Sequence, residues 1–523
     1  MSQLTIQQAI DLALEHHRAG RLNQAEQIYR QVLGAEPKNA WALQLLGMIA
    51  HQVGNSKLAI ELIQRAIAID PSPPDFHNNL GEILRVNGRL DEAEQCFGRC
   101  LSIEPNFAAA LNNLGELYRE RGELERASEY YRRAIALEPQ GAAPYNNLGI
   151  ATHDLGDPVS AIDLYKKAIE LGGDYVDAIN NLATSYLDLR RIDEAMKTFH
   201  RALSLDPTNA DAHSNLAYAL LLKGDFAAGW EEYEWRWKCS KFPSPNRGFR
   251  QPLWNGQDIS GKRILVHAEQ GLGDAIHFLR YVPMVAQRGA HVILECKREM
   301  IPMLRDYPGV NELVTFGDSL PLFEWQVPML SLPRAFKTTL ETIPAAVPYI
   351  HADPSLVEAW RGRLGPRDGR LRVGLAWAGN PTQAIDRFRS LKLSQLAPLA
   401  EATNVEFHSL QKGYAIEQLK TSPAGLSIID HSEELTDFSQ TAALMMNLDL
   451  VVSTCTSVPH LAGALARPVW IMVPFNGDWR WMTQGESTPW YPTMRLFRQQ
   501  KYANWDSTIA HLAEELVRYS STS

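Results

Sequence analysis

Three short stretches of this chain carry residue types that could hold and transfer a charged group. In the first, ILVHAEQGLGDAIHFLRYVP (264–283), an apolar run of strand type, Ile264 to His267, ends in a turn with Gly271 and Gly273. Asp274 then opens a segment with apolar residues at helical spacing, Ile276, Leu279, Tyr281 and Val282. Such a turn offers backbone N–H groups and a helix N-terminus to a ligand. In the second, VVSTCTSVPHLAGALA (451–466), a strand-type run leads into Thr454, Thr456 and Ser457, and a helix is expected from about Pro459. These hydroxyls, the free N–H groups of the helix and His460 in its first turn could meet one phosphate; the plainer alternative is that Thr456 or Ser457 caps the helix. The third, LAWAGNPTQAIDRFRSL (375–391), carries Arg387 and Arg389. The Gly-x-Gly turn also invites a dinucleotide reading, with Glu295 near the place of a ribose-binding acid. The full fingerprint needs a third small residue where this chain has Ile276, so NAD is set aside.

The elements that must position these residues alternate in type. Strand-type runs occupy 263–267, 291–296, 313–316, 372–377, 405–410, 427–429, 450–453 and 469–473, and helices are expected at about 274–287, 297–305, 394–401, 438–447 and 459–466. A break near residues 355–371 separates two sets, which predicts two Rossmann-like lobes facing across a cleft, residues 262–360 and 361–523. In open α/β sheets ligands sit at the carboxyl ends of the strands.

The first 240 residues repeat. Pro37, Pro71, Pro105, Pro139 and Pro207 stand in register with a step of 34 residues, with Gly173 in the one missing place. Within each period a small residue (Gly47, Gly81, Gly115, Gly149, Ala183) precedes an alanine and, four further on, a bulky residue such as Phe97, Tyr131 or Tyr165. Small residues let paired helices approach, bulky ones fill the remaining gap, and proline ends the second helix. This pattern resembles tetratricopeptide repeats, six full ones from Ile6 to Asn209 and a divergent seventh to about Lys238. The resemblance implies a superhelix with a concave face lined by the first helix of each pair. Asn79, Asn113, Asn147, Asn181 and Asn215 share one position on that face. A primary amide can donate to and accept from a peptide backbone without reading side chains, so the row suits a protein or peptide acceptor and resembles the asparagine ladder of O-GlcNAc transferase. Asparagine there is also common in repeats that bind nothing through it. Trp230, Tyr233, Trp235 and Trp237 are too many aromatics for a free helix and predict docking onto the second domain, the plainer alternative being packing that caps the array without a rigid interface. The proline-rich segment 241–261 reads as a linker.

A formal net charge of -9 argues against nucleic acid as the main partner. No apolar run reaches membrane-spanning length, and MSQLTIQQAI lacks the basic start and apolar core of a secretory signal. Five scattered cysteines suggest a reduced, cytoplasmic protein. Homo-oligomerisation is left open.

Taken in order and spacing, GLGDAIHFLRYVP, LAWAGNPTQAIDRFRSL and STCTSVPHLAGALARPVW resemble glycosyltransferase family 9, the heptosyltransferases of GT-B fold. The whole chain is similar to bacterial proteins that join tetratricopeptide repeats to such a domain. The fold expected is therefore an all-α superhelix followed by an α/β GT-B module. The resemblance implies an inverting glycosyltransferase with a nucleotide-sugar donor and no metal or other cofactor. It also implies Asp274 as general base, or as helix cap, or both. Arg389, with Arg387 as a close alternative, lies where the family contacts the donor phosphates, and a guanidinium suits charge developing on a diphosphate. Lys412 follows a strand end and either reaches the same leaving group or is solvated. Thr456, Ser457 and His460 match the family's Asp-Thr-x-x-x-His stretch, except that Cys455 replaces the aspartate. That change favours the competing expectation, a non-catalytic scaffold whose α/β half is degenerate.

Overall fold

The structure, a computed structural model, describes residues 4–382 and 386–522. Gln383, Ala384 and Ile385, inside the stretch 375–391, lie outside the described residues. Contacts divide the chain into two compact units, one ending at Ser185 and the next beginning at Tyr186.

The first unit is a row of helix pairs, from Ile6–Arg18 with Leu22–Ala35 to Ala142–Asp154 with Pro158–Gly172. The small residue of each first helix lies against the bulky one of the second. A Cβ built on Gly81 would be 2.7 Å from the Phe97 ring, and one on Gly115 would be 2.5 Å from Tyr131 Cε1. Phe97 and Tyr131 are fully buried and cannot swing aside. Alanine in place of a mid-helix glycine gains about 1 kcal/mol of helix propensity, whereas overpacking a tight core costs about 1–3 kcal/mol. Gly115→Val, which adds still more volume, is therefore expected to destabilise the array by about 2 kcal/mol, read as a lower denaturation midpoint.

Between the two helices of a repeat the chain passes through a left-handed residue: Gly20, Gly54, Gly88, Gly122 and Gly156, and Gly224 in the second unit. The sixth repeat breaks the series. There Arg190 takes the glycine's place with φ +57°, at a cost on the order of 1 kcal/mol for a residue with a Cβ.

The second unit begins with the end of helix Val176–Asp188 and continues through Ile192–Leu205, Ala210–Lys223, Phe226–Tyr233 and a 3-10 turn Glu234–Lys238. An α/β region follows. Strands β1 (Arg263–His267), β2 (His291–Cys296), β3 (Glu312–Thr315) and β4 (Trp325–Pro328) form a parallel sheet in the order β3-β2-β1-β4. Strands β5 (Leu371–Ala376), β6 (Val405–Ser409), β7 (Ile428–Ile429), β8 (Leu450–Thr454), β9 (Val469–Val473) and β10 (Met494–Arg498) form a second, in the order β10-β9-β8-β5-β6-β7. All its pairings are parallel too. β5, β8 and β9 are buried along their whole length, as expected of parallel strands covered on both faces.

Several sequence expectations shift. β4 and β10 stand outside the strand-type runs read from the sequence. Helix Pro354–Leu364 fills the expected break, capped by Asp353, whose carboxylate accepts from the Ser355 N–H at 2.8 Å. The helix expected over 274–287 is Leu272–Phe278, a 3-10 turn and Val282–Ala286, interrupted near Pro283. The expected helices around residues 298–304 and 393–401 are 3-10 segments containing Pro302 and Pro398.

The segment read as a linker is stitched to the first sheet: the Trp254 N–H donates to the Gln326 carbonyl at 2.8 Å, and the Trp254 side chain is buried. The aromatic end of the seventh repeat also packs on the α/β region. Trp230 donates its indole N–H to the Thr338 carbonyl (3.2 Å) and meets Trp479 edge to face at 5.2 Å. Beside it, the fully buried Arg236 forms a two-pronged ion pair with buried Glu269 at the end of β1, at 2.8 and 3.1 Å.

Candidate functional site

β1 delivers its carboxyl end to Glu269 and Gln270, and the glycine turn starts helix Leu272–Phe278. Asp274 sits in the first turn of that helix. One of its oxygens accepts from the Gly271 N–H at 3.0 Å; Gly271, not Asp274, is therefore the N-cap, and Asp274 is the third helical residue that bonds back to it. The other accepts from Arg480 at 2.6 Å. Arg480 in turn donates to both oxygens of Asp478, at 3.0 Å each, and lies over the Trp479 ring. Burial pushes the Asp274 carboxyl up from its usual range; Arg480 opposes this and Asp478 adds to it. The side chain is not fully enclosed, since 23% of it remains exposed.

The first turn of helix Ser457–Ala464, after β8, meets this glycine turn. A Cβ on Gly273 would lie 3.0 Å from His460 Cδ2 and 3.4 Å from Ser457 Cα. The second glycine thus suits the close approach of the two segments, and any side chain there would press on the His460 ring. Thr456 caps the helix, its hydroxyl accepting from the Val458 N–H at 3.3 Å. His460 is buried and its Nδ1 lies 3.0 Å from the Tyr491 hydroxyl. The same hydroxyl lies 2.9 Å from Nδ1 of His277 and 3.2 Å from the Tyr349 hydroxyl. Arg280 completes the knot, donating to Tyr349 (3.1 Å) and to the Trp490 carbonyl (2.8 Å). Burial holds both histidines neutral, well below the ordinary histidine value, and nearby arginines add to the effect. Sequence reasoning found His460 and missed His277, Arg280 and Tyr349; their spacing carries no signal because the partners are distant in the chain.

Arg389 donates from Nε to Asp386 at 3.2 Å, under Gly379, where a Cβ would come within 2.9 Å of the guanidinium. Its charge acts on Asp274, Cys455 and His460. Arg387 is exposed, with its guanidinium 4.5 Å from the centre of the Phe388 ring. Lys412 is also exposed and gives its ammonium to the Ser432 carbonyl at 2.6 Å. The Cys455 thiol faces the Met472 carbonyl at 3.7 Å and is pushed up to about 12 by burial, then by the charge of Asp478. At pH 8 it should carry at least ~100-fold less thiolate than a free cysteine. Slow alkylation of Cys455 relative to a small thiol, followed by mass spectrometry, checks this.

A cavity of about 650 Å³ opens at the carboxyl ends of β1 and β4, bounded by Arg247, Phe249, His267, Gln270, Lys297 and Gln326. Burial keeps His267 neutral, its value lowered to about 4, and Nε2 faces Gln326 at 3.0 Å.

In the repeats, the asparagine row is used between neighbours. Asn113 donates to Asn78 (3.0 Å), Asn147 to Asn112 (3.1 Å) and Asn181 to Asn146 (3.0 Å), so each spends an amide hydrogen on the preceding repeat. Asn79, like these, is half-buried, its side-chain oxygen accepting from the Asn78 amide at 3.4 Å; Asn215, in helix Ala210–Lys223 of the second unit, is half-buried too.

Among the described residues no helix is long and apolar enough to cross a membrane. Tetratricopeptide-repeat profiles match residues 16–83, 75–140, 108–172 and 153–203, and a TPR-repeat profile matches 184–224. Protein FlbA of Caulobacter vibrioides is 26% identical over 330 residues, 58% of this chain and 54% of that protein. The chain thus spans about half the length of this curated relative. Among solved structures, MamA is 25% identical (TM-score 0.28, covering 32% of this chain and 90% of MamA). The type IV pilus biogenesis factor PilW is 22% identical (TM-score 0.38, 41% and 100%). YrrB, titled a TPR protein with an unusual peptide-binding site, is 20% identical (TM-score 0.29, 34% and 91%). Residues 16–224 are a tetratricopeptide-repeat array, of the kind that serves protein interaction, and an α/β region with parallel sheets follows it.

Proposed function

We propose that the α/β half is an inverting, metal-independent glycosyltransferase of GT-B type, acting in the cytoplasm on a hydroxyl of a protein held by the repeats. The observation that carries this reading is the meeting of the glycine turn that holds Asp274, at the carboxyl end of β1, with the helix tip after β8, with the charge of Arg389 acting on Asp274. The acceptor oxygen would bond to the anomeric carbon as the bond to the donor's diphosphate breaks. The acceptor's proton would pass to Asp274, each of whose oxygens keeps a second lone pair beside its hydrogen bond. Its raised carboxyl suits a base that must accept a proton near neutral pH. Arg389 and the N–H groups at the helix tip would neutralise the departing diphosphate.

A second reading, an interaction scaffold with a silent α/β half, draws on Cys455, whose protonated thiol replaces a carboxylate. Thermal-shift titration with nucleoside diphosphates separates the two. Binding to the folded form stabilises it by about 2.7 kcal/mol at a hundredfold excess over Kd, which raises the melting temperature. A shift with one nucleotide, and sugar released from its sugar conjugate, supports the enzyme. No shift with any of them leaves the scaffold.

A further inference from the structure

The turn glycine lost from the sixth repeat directs attention to what replaces it. Arg190 holds a left-handed backbone that glycine adopts in the other repeats, and its Nε donates to the Phe475 carbonyl. Its guanidinium also lies 4.6 Å from the centre of the Phe475 ring. The next residue, Asn476, donates its side-chain amide to Asp188 at 3.2 Å. The residue after that, Gly477, receives the Tyr218 hydroxyl on its carbonyl at 3.4 Å. Three consecutive loop residues are therefore each held by one side chain of the sixth or seventh repeat.

That loop leaves the carboxyl end of β9 and leads directly to Asp478 and Arg480. Asp478 accepts from the Arg480 backbone N–H at 2.9 Å and from its guanidinium at 3.0 Å, so the two move as one piece. Arg480 reaches Asp274 at 2.6 Å. A continuous line of named bonds thus runs from the repeats to the carboxylate at the glycine turn. The Arg480 guanidinium is almost wholly buried, so its position cannot relax into solvent if the loop shifts.

We propose that Asp188, Arg190 and Tyr218 are positioning residues for Asp274, acting through the loop Phe475–Asp478 and through Arg480. Calling Asp274 the target of a catalytic device rests on the transferase reading; the relay itself does not. It makes the end of the repeat array a part of the α/β site rather than a holder placed beside it. A protein that loads those last repeats would act on Asp274 through the loop.

Arg190→Gly is the discriminating variant, because glycine fits the turn and leaves the repeat intact. Amide hydrogen exchange of the full chain is expected to quicken by at least ~5-fold at residues 475–481 and at 271–275, as local opening becomes easier. Exchange in β5 and in helix Ala210–Lys223 should stay unchanged, and the melting temperature should hold or rise. Arg190→Lys, which can still donate to the Phe475 carbonyl, should restore part of the protection, and Tyr218→Phe should reproduce a smaller version of the loss. Quickening confined to 475–478, or spread evenly over the whole unit, or absent at both segments, overturns the proposal. None of these readouts uses a nucleotide, so a chain that binds no donor would end the transferase reading and leave this test standing.

Discussion

Asp274→Asn is expected to lower kcat by about 10²–10⁴-fold with little change in KM, the span typical of losing a general base. Asparagine can still accept from the Gly271 N–H, so the helix keeps its cap and the melting temperature should change little. The pH profile adds a sign. A base must be ionised to act, and burial raises the Asp274 carboxyl, so activity should fall on the acid side at a pH above the ordinary carboxylate range. Asp478 pushes in the same direction. Asp478→Asn should therefore move that acid limb downward. Steady-state rates from pH 4 to 8 on a donor identified by binding check both. A wild-type rate in Asp274→Asn would dismiss this carboxylate as the base.

The largest stability effect is expected at Arg236→Leu. Arg236 and Glu269 are 2% and 1% exposed, and each is the other's charge partner. Removing the cation leaves a buried carboxylate uncompensated, which typically costs about 3–5 kcal/mol. Burial already raises the Glu269 carboxyl, and Arg236 is what opposes that rise. Without it the folded-state value climbs further above the unfolded one. The penalty is then full at high pH and shrinks as pH falls through the folded value, where Glu269 takes a proton and the buried charge disappears. Urea denaturation at pH 8 and pH 5 should show a large deficit at the first and a smaller one at the second. Equal deficits would mean that lost packing, rather than charge, is responsible.

The repeats were legible because their signal is periodic: Gly81 and Phe97, or Gly115 and Tyr131, recur in register and each pair makes one local contact. β1, β2 and β9 were equally plain as buried apolar runs with clear ends. β4 was not, because Trp325 to Pro328 is a short run with a polar residue inside and a proline at its end, and only its neighbours make it a strand. At the candidate site, the glycine turn, Asp274 and the capped helix could be read locally. Arg480 could not: it stands between two tryptophans, Trp479 and Trp481, and its bond to Asp274 joins residues far apart in the chain. Arg190 was visible in principle as the one break in a row of turn glycines, a signal that periodic reading of the helices passes over.

The hydroxyl of Tyr491 has one hydrogen to give, yet it stands between two imidazole nitrogens. At least one of His277 and His460 must therefore be the tautomer with its hydrogen on Nδ1. The far nitrogen of His277 is buried with no partner among the described residues. Neither ring has room for a second hydrogen without a bare cation appearing beside Arg280 and Arg480. Unfolded, both rings titrate near 6.5; folded, they resist, so this contribution to stability is whole above that pH and drains away below it. Mild acid should thus cost stability at the seam where the glycine turn and the helix tip meet.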